Sequence, residues 1–160
     1  MDAIAWGAAA TVFVFTISQI IQVLTIIIRR KEEKKNTAKL LKSEIKCILK
    51  SGGLASDIRD FESFIRNSGI NEINGCSFAV SYTPVYNSVL KDISNFDEGT
   101  AEMISEFYNL IARMNAFVAH FKSKEFIDAG EEIHHIMKHP LVETVKDIHR
   151  IGVLLIERIK

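Results

Sequence analysis

The sequence has a long stretch without charge: no Asp, Glu, Lys or Arg lies between Ala3 and Ile28. As a helix, this window would extend roughly 39 Å at 1.5 Å per residue, against about 30 Å for the hydrocarbon core of a bilayer. A soluble core helix rarely needs so long an uncharged run. The missing charges therefore predict a membrane-spanning helix, which can cross with some tilt.

The marks of a cleaved secretory signal are also missing. Such a signal has a basic start, a shorter apolar region and a small-residue cleavage site, whereas this chain begins Met1-Asp2 and follows its apolar run with "RRKEEKK". The run is followed by five cations, which are Arg29, Arg30, Lys31, Lys34 and Lys35. By the positive-inside rule we expect a single-pass protein with its N-terminus outside, residues 1–35 as anchor and basic collar, and residues 36–160 in the cytosol.

Cysteine is scarce, with only Cys47 and Cys76 in the chain. Two cysteines do not make a disulfide framework for a domain of this size, and neither has a histidine neighbour in sequence that would activate a nucleophile. We expect both to be reduced and to act as small buried hydrophobic residues.

Catalytic motifs are absent as well. There is no glycine-rich phosphate loop, no Gly-x-Ser-x-Gly elbow and no carboxylate pair in a setting that would raise a pKa. The formal net charge is +0 and no basic stripe is present, which argues against duplex DNA or RNA as a partner. The sequence therefore predicts a protein that is not an enzyme and has no cofactor, and whose basic collar meets the headgroups of membrane lipid.

Inside the apolar run, small and polar residues recur at spacings of three and four, which places them on one helical face. The face consists of Ala8, Thr11, Phe15, Ser18, Gln22 and Thr25. Hydrogen bonds between copies across this face would contribute roughly 0.6–2 kcal/mol each, so we predict an oligomer seam at Thr11, Ser18, Gln22 and Thr25. Two alternatives stay open: the hydroxyls bond back to their own helix, or the stripe lines a pore when the helices rearrange.

Residues 36–160 also show apolar positions three and four apart, without a convincing alternating strand; one short extended piece is conceivable at 76–82. Thr83 and Pro84 fit an N-cap followed by proline at the first helical position. The long run with Ile104, Phe107 and Met114 fits a central core helix. We predict helices over Thr37–Lys50, about 54–67, from Pro84 through Ile93, and about 100–122.

Two further helices, about 125–138 and 140–159, are predicted on either side of His139-Pro140. The last one carries apolar residues on more than one side, which predicts burial in the bundle or between subunits. The fold class is therefore all-α, with one N-terminal transmembrane helix followed by a cytosolic helical bundle, and a homo-oligomer is expected.

The span from Tyr82 to Met114 has a Pro-x-Tyr that opens one helix and an Ile-x-x-Phe-Tyr that opens the next, formed by Pro84, Tyr86, Ile104, Phe107 and Tyr108. In this it resembles small bacterial proteins with one N-terminal membrane helix and a cytosolic helical domain, which implies a bacterial inner membrane. Its size, topology and polar membrane stripe are similar to those of small membrane effectors of type III CRISPR defence. In those effectors a cytosolic helical domain binds a cyclic oligoadenylate and perturbs the membrane segment, which implies a cyclic nucleotide ligand and an antiviral role.

One candidate for metal chemistry is the set Glu131, His135 and His139, which share a helical face at i, i+4 and i+8. This spacing suits a divalent metal if His120 or His149 supplied a further ligand. A solvated polar face is the simpler interpretation, and we predict no metal site.

Cations and tyrosines form the second candidate site. Phosphate is favoured by cations and by a helix N-terminus near Pro140, and aromatic rings stack on bases. Alternatively, the rings are buried in the core and the charges form an ordinary exposed face. The predicted ligand-binding residues are Tyr82, Tyr86, Tyr108, Lys138, His139, Lys146, His149 and Arg150.

Two functional hypotheses follow. The first is an oligomeric membrane effector whose cytosolic domain senses a small ligand, such as a cyclic nucleotide second messenger in antiphage defence, and perturbs or opens the membrane segment. The second is a passive membrane-anchored scaffold or recruitment module with no ligand.

Overall fold

The computed structural model describes residues 2–51, 58–69, 72–73 and 83–159, and every regular element within them is a helix. The all-α fold class is confirmed. The chain divides into two compact units, residues 1–36 and 37–160. The extended piece considered at 76–82 lies outside the described residues.

Helix α1 begins at Asp2 and ends at Ser51 without a break. The sequence predicted a separate helix beginning at Thr37, and this boundary is wrong. No glycine or proline lies between Ala8 and Ser51, so nothing in the backbone chemistry ends the helix. Within the basic collar, the ion pair of Arg29 with Glu33 at 3.0 Å has the i, i+4 spacing that favours a helix.

The second half of α1 supplies one wall of the core of the 37–160 unit, through Ala38, Leu41, Ile45, Ile48 and Leu49. The side chain of Leu40, in contrast, is half exposed. Cys47, expected to be buried, is also exposed and has a free thiol. Leu40 and Cys47 are seven positions apart, which is close to two helical turns. Both therefore lie on the same side of α1, the side that faces away from this core.

Helix α2 extends from Ile58 to Asn67 and stops before Ser68-Gly69, where the sequence predicted its end. Phe61 and Ile65 are buried in the core. Residues 72 and 73 are also helical, and the side chain of Ile73 is buried.

Helix α3 covers Pro84–Val89 and continues as a 3₁₀ helix over Leu90–Asn95, where the sequence predicted one helix through Ile93. Val89 and Ile93 of this segment are buried, as is Phe96 directly after it. The segment therefore lies on the core, although its helical type changes partway.

Helix α4, Glu98–Phe121, is the predicted central core helix and begins two residues earlier than expected. Asp97 is its N-cap: the carboxylate accepts from the Thr100 N–H at 3.0 Å and from the Thr100 hydroxyl at 2.7 Å. Arg158 also donates to Asp97 at 2.9 Å. The hydrogen bonds from Thr100 first, and that from Arg158 next, lower the pKa of Asp97 from 3.8 to about 2.

Helix α5 is a single turn, Lys124–Ile127, and α6 then extends without interruption over Glu131–Arg158. The predicted break at His139-Pro140 is wrong, because Pro140 lies inside α6. Proline removes the bond to the carbonyl of Ile136, but Leu141 and Val142 directly after it are fully buried and hold the helix against the core. Tertiary packing thus overrides the local penalty, and no helix N-terminus exists near Pro140.

Helix α6 comes close to both α1 and α4 at Gly152. A Cβ atom added there would lie 2.9 Å from Cε2 of Phe107 and 3.1 Å from both Cδ atoms of Leu49. Only glycine permits this approach without displacing a neighbour. The three longest helices of the fold therefore meet at this position.

Candidate functional site

The predicted ligand-binding tyrosines pack against each other in the domain core. Tyr86 of α3 and Tyr108 of α4 stack with ring centroids 3.8 Å apart and planes 11° from parallel. Tyr108 is buried, and Phe107 meets its ring edge-on at 5.2 Å. Tyr82 lies outside the described residues.

A buried carboxylate, Glu44 of α1, lies at the centre of this cluster. The Tyr108 hydroxyl donates to Glu44 Oε2 at 2.5 Å, and the backbone N–H groups of Val85 and Tyr86 donate to its two carboxylate oxygens at 2.9 and 3.1 Å. Only 8% of Glu44 is exposed. Three donors satisfy a charged group whose burial would otherwise be strongly unfavourable.

Glu44 takes over the capping of α3. The first helical N–H groups have no partner within their own helix, and Pro84 at the first position has no N–H to satisfy. Glu44 accepts from the next two. Thr83 stands at the predicted N-cap position, but its side chain makes no capping hydrogen bond; the cap comes from another helix, 39 residues earlier in the sequence.

The chemistry of Tyr108 follows from its position. Burial first, and the hydrogen bond to the Glu44 carboxylate second, raise the pKa of Tyr108 well above its ordinary value. The phenol therefore stays protonated and keeps donating to Glu44. Its hydroxyl serves the fold rather than an incoming ligand.

Tyr86 and Tyr108 also line a cavity of about 270 Å³ between α3 and α4. Asn87, Asn109 and Asn115 are among its other lining residues. Amide groups offer both donors and acceptors, so this cavity presents an aromatic surface beside a polar edge. It lies next to the residues that hold Glu44.

Two of the predicted cations are engaged in ion pairs. Lys146 contacts Glu62 at 2.9 Å and Glu143 at 3.2 Å, and Arg150 contacts Asp147 at 3.0 Å. The hydrogen bond with Glu62, followed by that with Glu143, raises the pKa of Lys146. These side chains form a salt-bridged helix surface, which is the simpler of the two interpretations of the sequence. His149 is half-buried on the same helix.

Lys138 and His139, in contrast, line a small cavity between α2 and α6. The cavity measures about 230 Å³, and its walls are Arg66, His135, Ile136, Lys138, His139 and Val142. Lys138 also donates to the carbonyl of Ser68 at 2.6 Å, just beyond the end of α2. Sequence reasoning missed Arg66 and assigned His135 only to a metal site.

A larger polar groove of about 1040 Å³ adjoins this cavity and shares His135, Ile136 and Lys138 with it. Three acidic residues, Glu72, Glu131 and Glu132, are among those that line the groove. Among the residues that the structure describes, no three His, Cys, Asp or Glu side chains are grouped to hold a metal ion. Glu131, His135 and His139 therefore do not form a metal centre.

The first unit has a different character. From Phe13 to Ile28 the large apolar side chains are exposed, with 40–66% of each accessible. Within the described chain, α1 is the one helix long and apolar enough to cross a membrane by length and composition. Residues 2–12 are helical, but their side chains, including that of Thr11, are not described.

The predicted seam residues differ in their contacts. The Thr25 hydroxyl donates to the carbonyl of Ile21 in its own helix at 2.8 Å, as the back-bonding alternative expects. Ser18 and Gln22 are exposed. A seam between copies stays a prediction.

Glu44 is a second residue that sequence reasoning missed, although a signal was present. It lies three residues after Leu41 and four before Ile48, on the apolar stripe of α1. A charged residue on a buried stripe requires partners. The partners themselves, two backbone amides and a tyrosine, are not visible from such a pattern.

Comparison with known proteins gives no relative: no family model, curated protein or solved structure matches this chain.

Proposed function

We propose that this protein is a membrane-anchored, homo-oligomeric effector whose helical domain senses a small ligand and perturbs or opens the membrane segment. The observation that carries the proposal is the position of Glu44. It belongs to the same unbroken helix as the apolar segment, and it binds the start of α3 and the Tyr108 hydroxyl. A ligand that shifts α3 or α4 acts directly on α1.

The anchoring part of the proposal is supported by the exposed apolar surface of residues 13–28. Exposure of so large a contiguous apolar surface to water is unfavourable, whereas its contact with lipid is favourable. The cations after Ile28 favour a cytosolic position for the domain and an external N-terminus in a bacterial inner membrane. Fusion reporters at the two ends test this orientation: the C-terminal one should be active in the cytosol, and activity outside would overturn it.

The ligand-sensing part is supported by the cavity beside Tyr86 and Tyr108. An aromatic surface with neighbouring amides suits a nucleobase, which has a flat face and a hydrogen-bonding edge. We propose a cyclic nucleotide as the ligand class, with its base in this cavity of about 270 Å³ and the rest of the ligand outside it. Binding to the native state raises the melting temperature by mass action.

Thermal melting of the full-length protein in detergent, with and without a panel of cyclic nucleotides, measures this binding. Asn87→Ala changes an exposed residue that lines the cavity, and Asn95→Ala is the matched control in the adjacent 3₁₀ helix. We expect stabilisation that Asn87→Ala weakens and Asn95→Ala leaves unchanged. Absence of stabilisation by every member of the panel would remove the cyclic nucleotide from the proposal.

Homo-oligomerisation is supported by apolar side chains that the single chain leaves accessible. On α6, Val153 is 39% and Leu154 45% exposed, close to the end of a helix whose other side is buried. In the membrane segment, Ser18 and Gln22 would form hydrogen bonds between copies. Sedimentation in detergent should show a defined oligomer.

A passive anchored scaffold is the second candidate, and one observation favours it. Lys146 and Arg150, which were expected to face an anion, are already paired with carboxylates. In this case the membrane segment serves only as a tether, and any apolar helix of similar length would substitute.

Exchange of residues 3–28 for an unrelated single-pass helix separates the two functions. An effector should lose its effect on cell growth or membrane potential in the presence of its trigger, while a scaffold should retain full function. The double variant Ser18→Leu, Gln22→Leu refines the test, because both changes raise hydrophobicity and preserve insertion. Val14→Leu and Ile21→Leu are lipid-facing controls and should be nearly silent.

A further inference from the structure

The cavity between α2 and α6 has a composition that is unusual for this neutral chain. Four of its six lining residues, Arg66, His135, Lys138 and His139, are cationic or can become so, and none is acidic. The remaining two, Ile136 and Val142, are apolar. Nitrogen donors beside apolar side chains can bind an organic anion, because the donors contact its charged group and the apolar side chains contact its carbon atoms.

Several of these side chains can donate further hydrogen bonds. Arg66 uses Nε and Nη2 on Glu62, at 3.0 and 2.7 Å, which leaves its Nη1. Lys138 has three donors and uses one on the Ser68 carbonyl. His135 and His139 have no hydrogen-bond or ion-pair partner in the part of the chain that the structure describes, and both are exposed.

Nearby carboxylates do not cancel this charge. Glu62 accepts from both Arg66 and Lys146, so one acidic group there faces two cations. The carboxylates of Glu72, Glu131 and Glu132 line the neighbouring groove and not this cavity.

We propose that this cavity binds a small phosphate group carried on a short apolar body. Four donors around one space suit an oxyanion with several acceptor oxygens, while a carboxylate offers only two. Ile136, with 60% of its side chain exposed beside the cavity, would be covered by the apolar body. At about 230 Å³ the space is below the roughly 300–1,000 Å³ of sites that enclose a drug-sized ligand, so it holds one end group.

The proposal does not depend on the nucleotide cavity beside Tyr86, which lies between other helices. The phosphate could belong to a soluble metabolite or to a lipid headgroup, because the donors present the same chemistry to both. Membrane composition distinguishes these two sources.

The test uses the full-length protein in phosphatidylcholine nanodiscs, titrated with phenyl phosphate in a calorimeter. We expect saturable binding that is stronger than that of inorganic phosphate, which lacks the apolar body. His135→Gln and His139→Gln should each weaken it about tenfold through loss of a charge-assisted hydrogen bond. Arg150→Gln is the matched control, since Arg150 is an α6 cation paired outside the cavity, and its affinity should be that of the wild type.

The same titration in nanodiscs that contain phosphatidylglycerol identifies the source. Both titrations are run at high salt, which screens the repulsion of phenyl phosphate by the anionic bilayer. Unchanged affinity under these conditions indicates a soluble phosphate ester as the natural ligand, whereas weaker apparent affinity indicates competition by the lipid headgroup. No binding in phosphatidylcholine, or binding that both histidine variants leave intact, would overturn the site. Neither result bears on anchoring or orientation, which the reporter fusions measure separately.

Discussion

Replacing Gly152 with alanine tests the close approach of α6 to α1 and α4. The new Cβ would lie 2.9 Å from Phe107 Cε2 and 3.1 Å from the Leu49 methyl groups. Phe107 is completely buried and Leu49 is 7% exposed, so neither side chain can swing into solvent. The contact must be relieved by moving helices.

The expected magnitude combines two opposing effects. Alanine is about 1 kcal/mol more favourable than glycine inside a helix, whereas overpacking a well-filled core costs about 1–3 kcal/mol. Because neither neighbour can move into solvent, the upper part of the overpacking range applies, and the net destabilisation is about 1–2 kcal/mol. For a chain of this size each kcal/mol lowers the Tm by about 2–4 °C, so the variant should melt about 2–8 °C below the wild type.

Gly99→Ala is the matched control, with the same chemical change in another helix. Its Cβ would meet Nη2 of Arg158 at 2.8 Å, but that guanidinium is the flexible end of a half-exposed side chain and can move away. We expect a Tm within about 2 °C of the wild type. Thermal melts followed by circular dichroism on the full-length protein in detergent measure both variants. If Gly152→Ala is as stable as the wild type, the three helices do not meet as closely as described.

Three further changes test separate parts of the structure. Tyr108→Phe removes one of three donors to the buried Glu44 carboxylate and should destabilise the fold by about 1–3 kcal/mol in urea denaturation; an unchanged midpoint would show that the bond contributes nothing. The contribution of Asp97, whose pKa is lowered from 3.8 to about 2, is present above pH 3.8 and lost as the pH falls toward 2. The Asp97→Asn variant should therefore show a smaller fall in Tm than the wild type as the pH is lowered from 3.8 toward 2. An equal fall in Tm in both proteins would contradict this. Pro140→Ala restores the N–H that can bond to the Ile136 carbonyl and should raise stability by about 1–3 kcal/mol, whereas a lower Tm would show that the proline has a packing role.

Much of the fold was accessible from the sequence, because strong local signals marked it. Ser68-Gly69 ended α2, and the apolar spacing of Ile104, Phe107 and Met114 predicted the central helix. The errors came where tertiary packing outweighed a local signal. Pro140 indicated a break, yet the buried residues directly after it hold α6 in one piece.

The candidate sites were less predictable for a physical reason. A cap from Glu44 to α3 joins residues about 40 positions apart, and no local pattern encodes such a pairing. Lys138 and His139 were predicted as ligand-binding residues because of their charge, and both line the α6 side of the α2–α6 cavity. Arg66, on the other side, belongs to a helix whose packing against α6 only the structure reveals.

The course of α1 has a consequence for how such a protein can evolve. Recombination usually joins domains in exposed linkers, where a crossover disturbs few contacts. Here the two units divide between residues 36 and 37, inside a helix, and the stretch after that point contains Leu41, Glu44 and Ile45. A gene fusion at the end of the helix would delete a wall of the domain, while a crossover near residue 36 would preserve it. Exchange of the apolar N-terminal segment between related genes should therefore leave breakpoints in the codons of α1, upstream of Glu44.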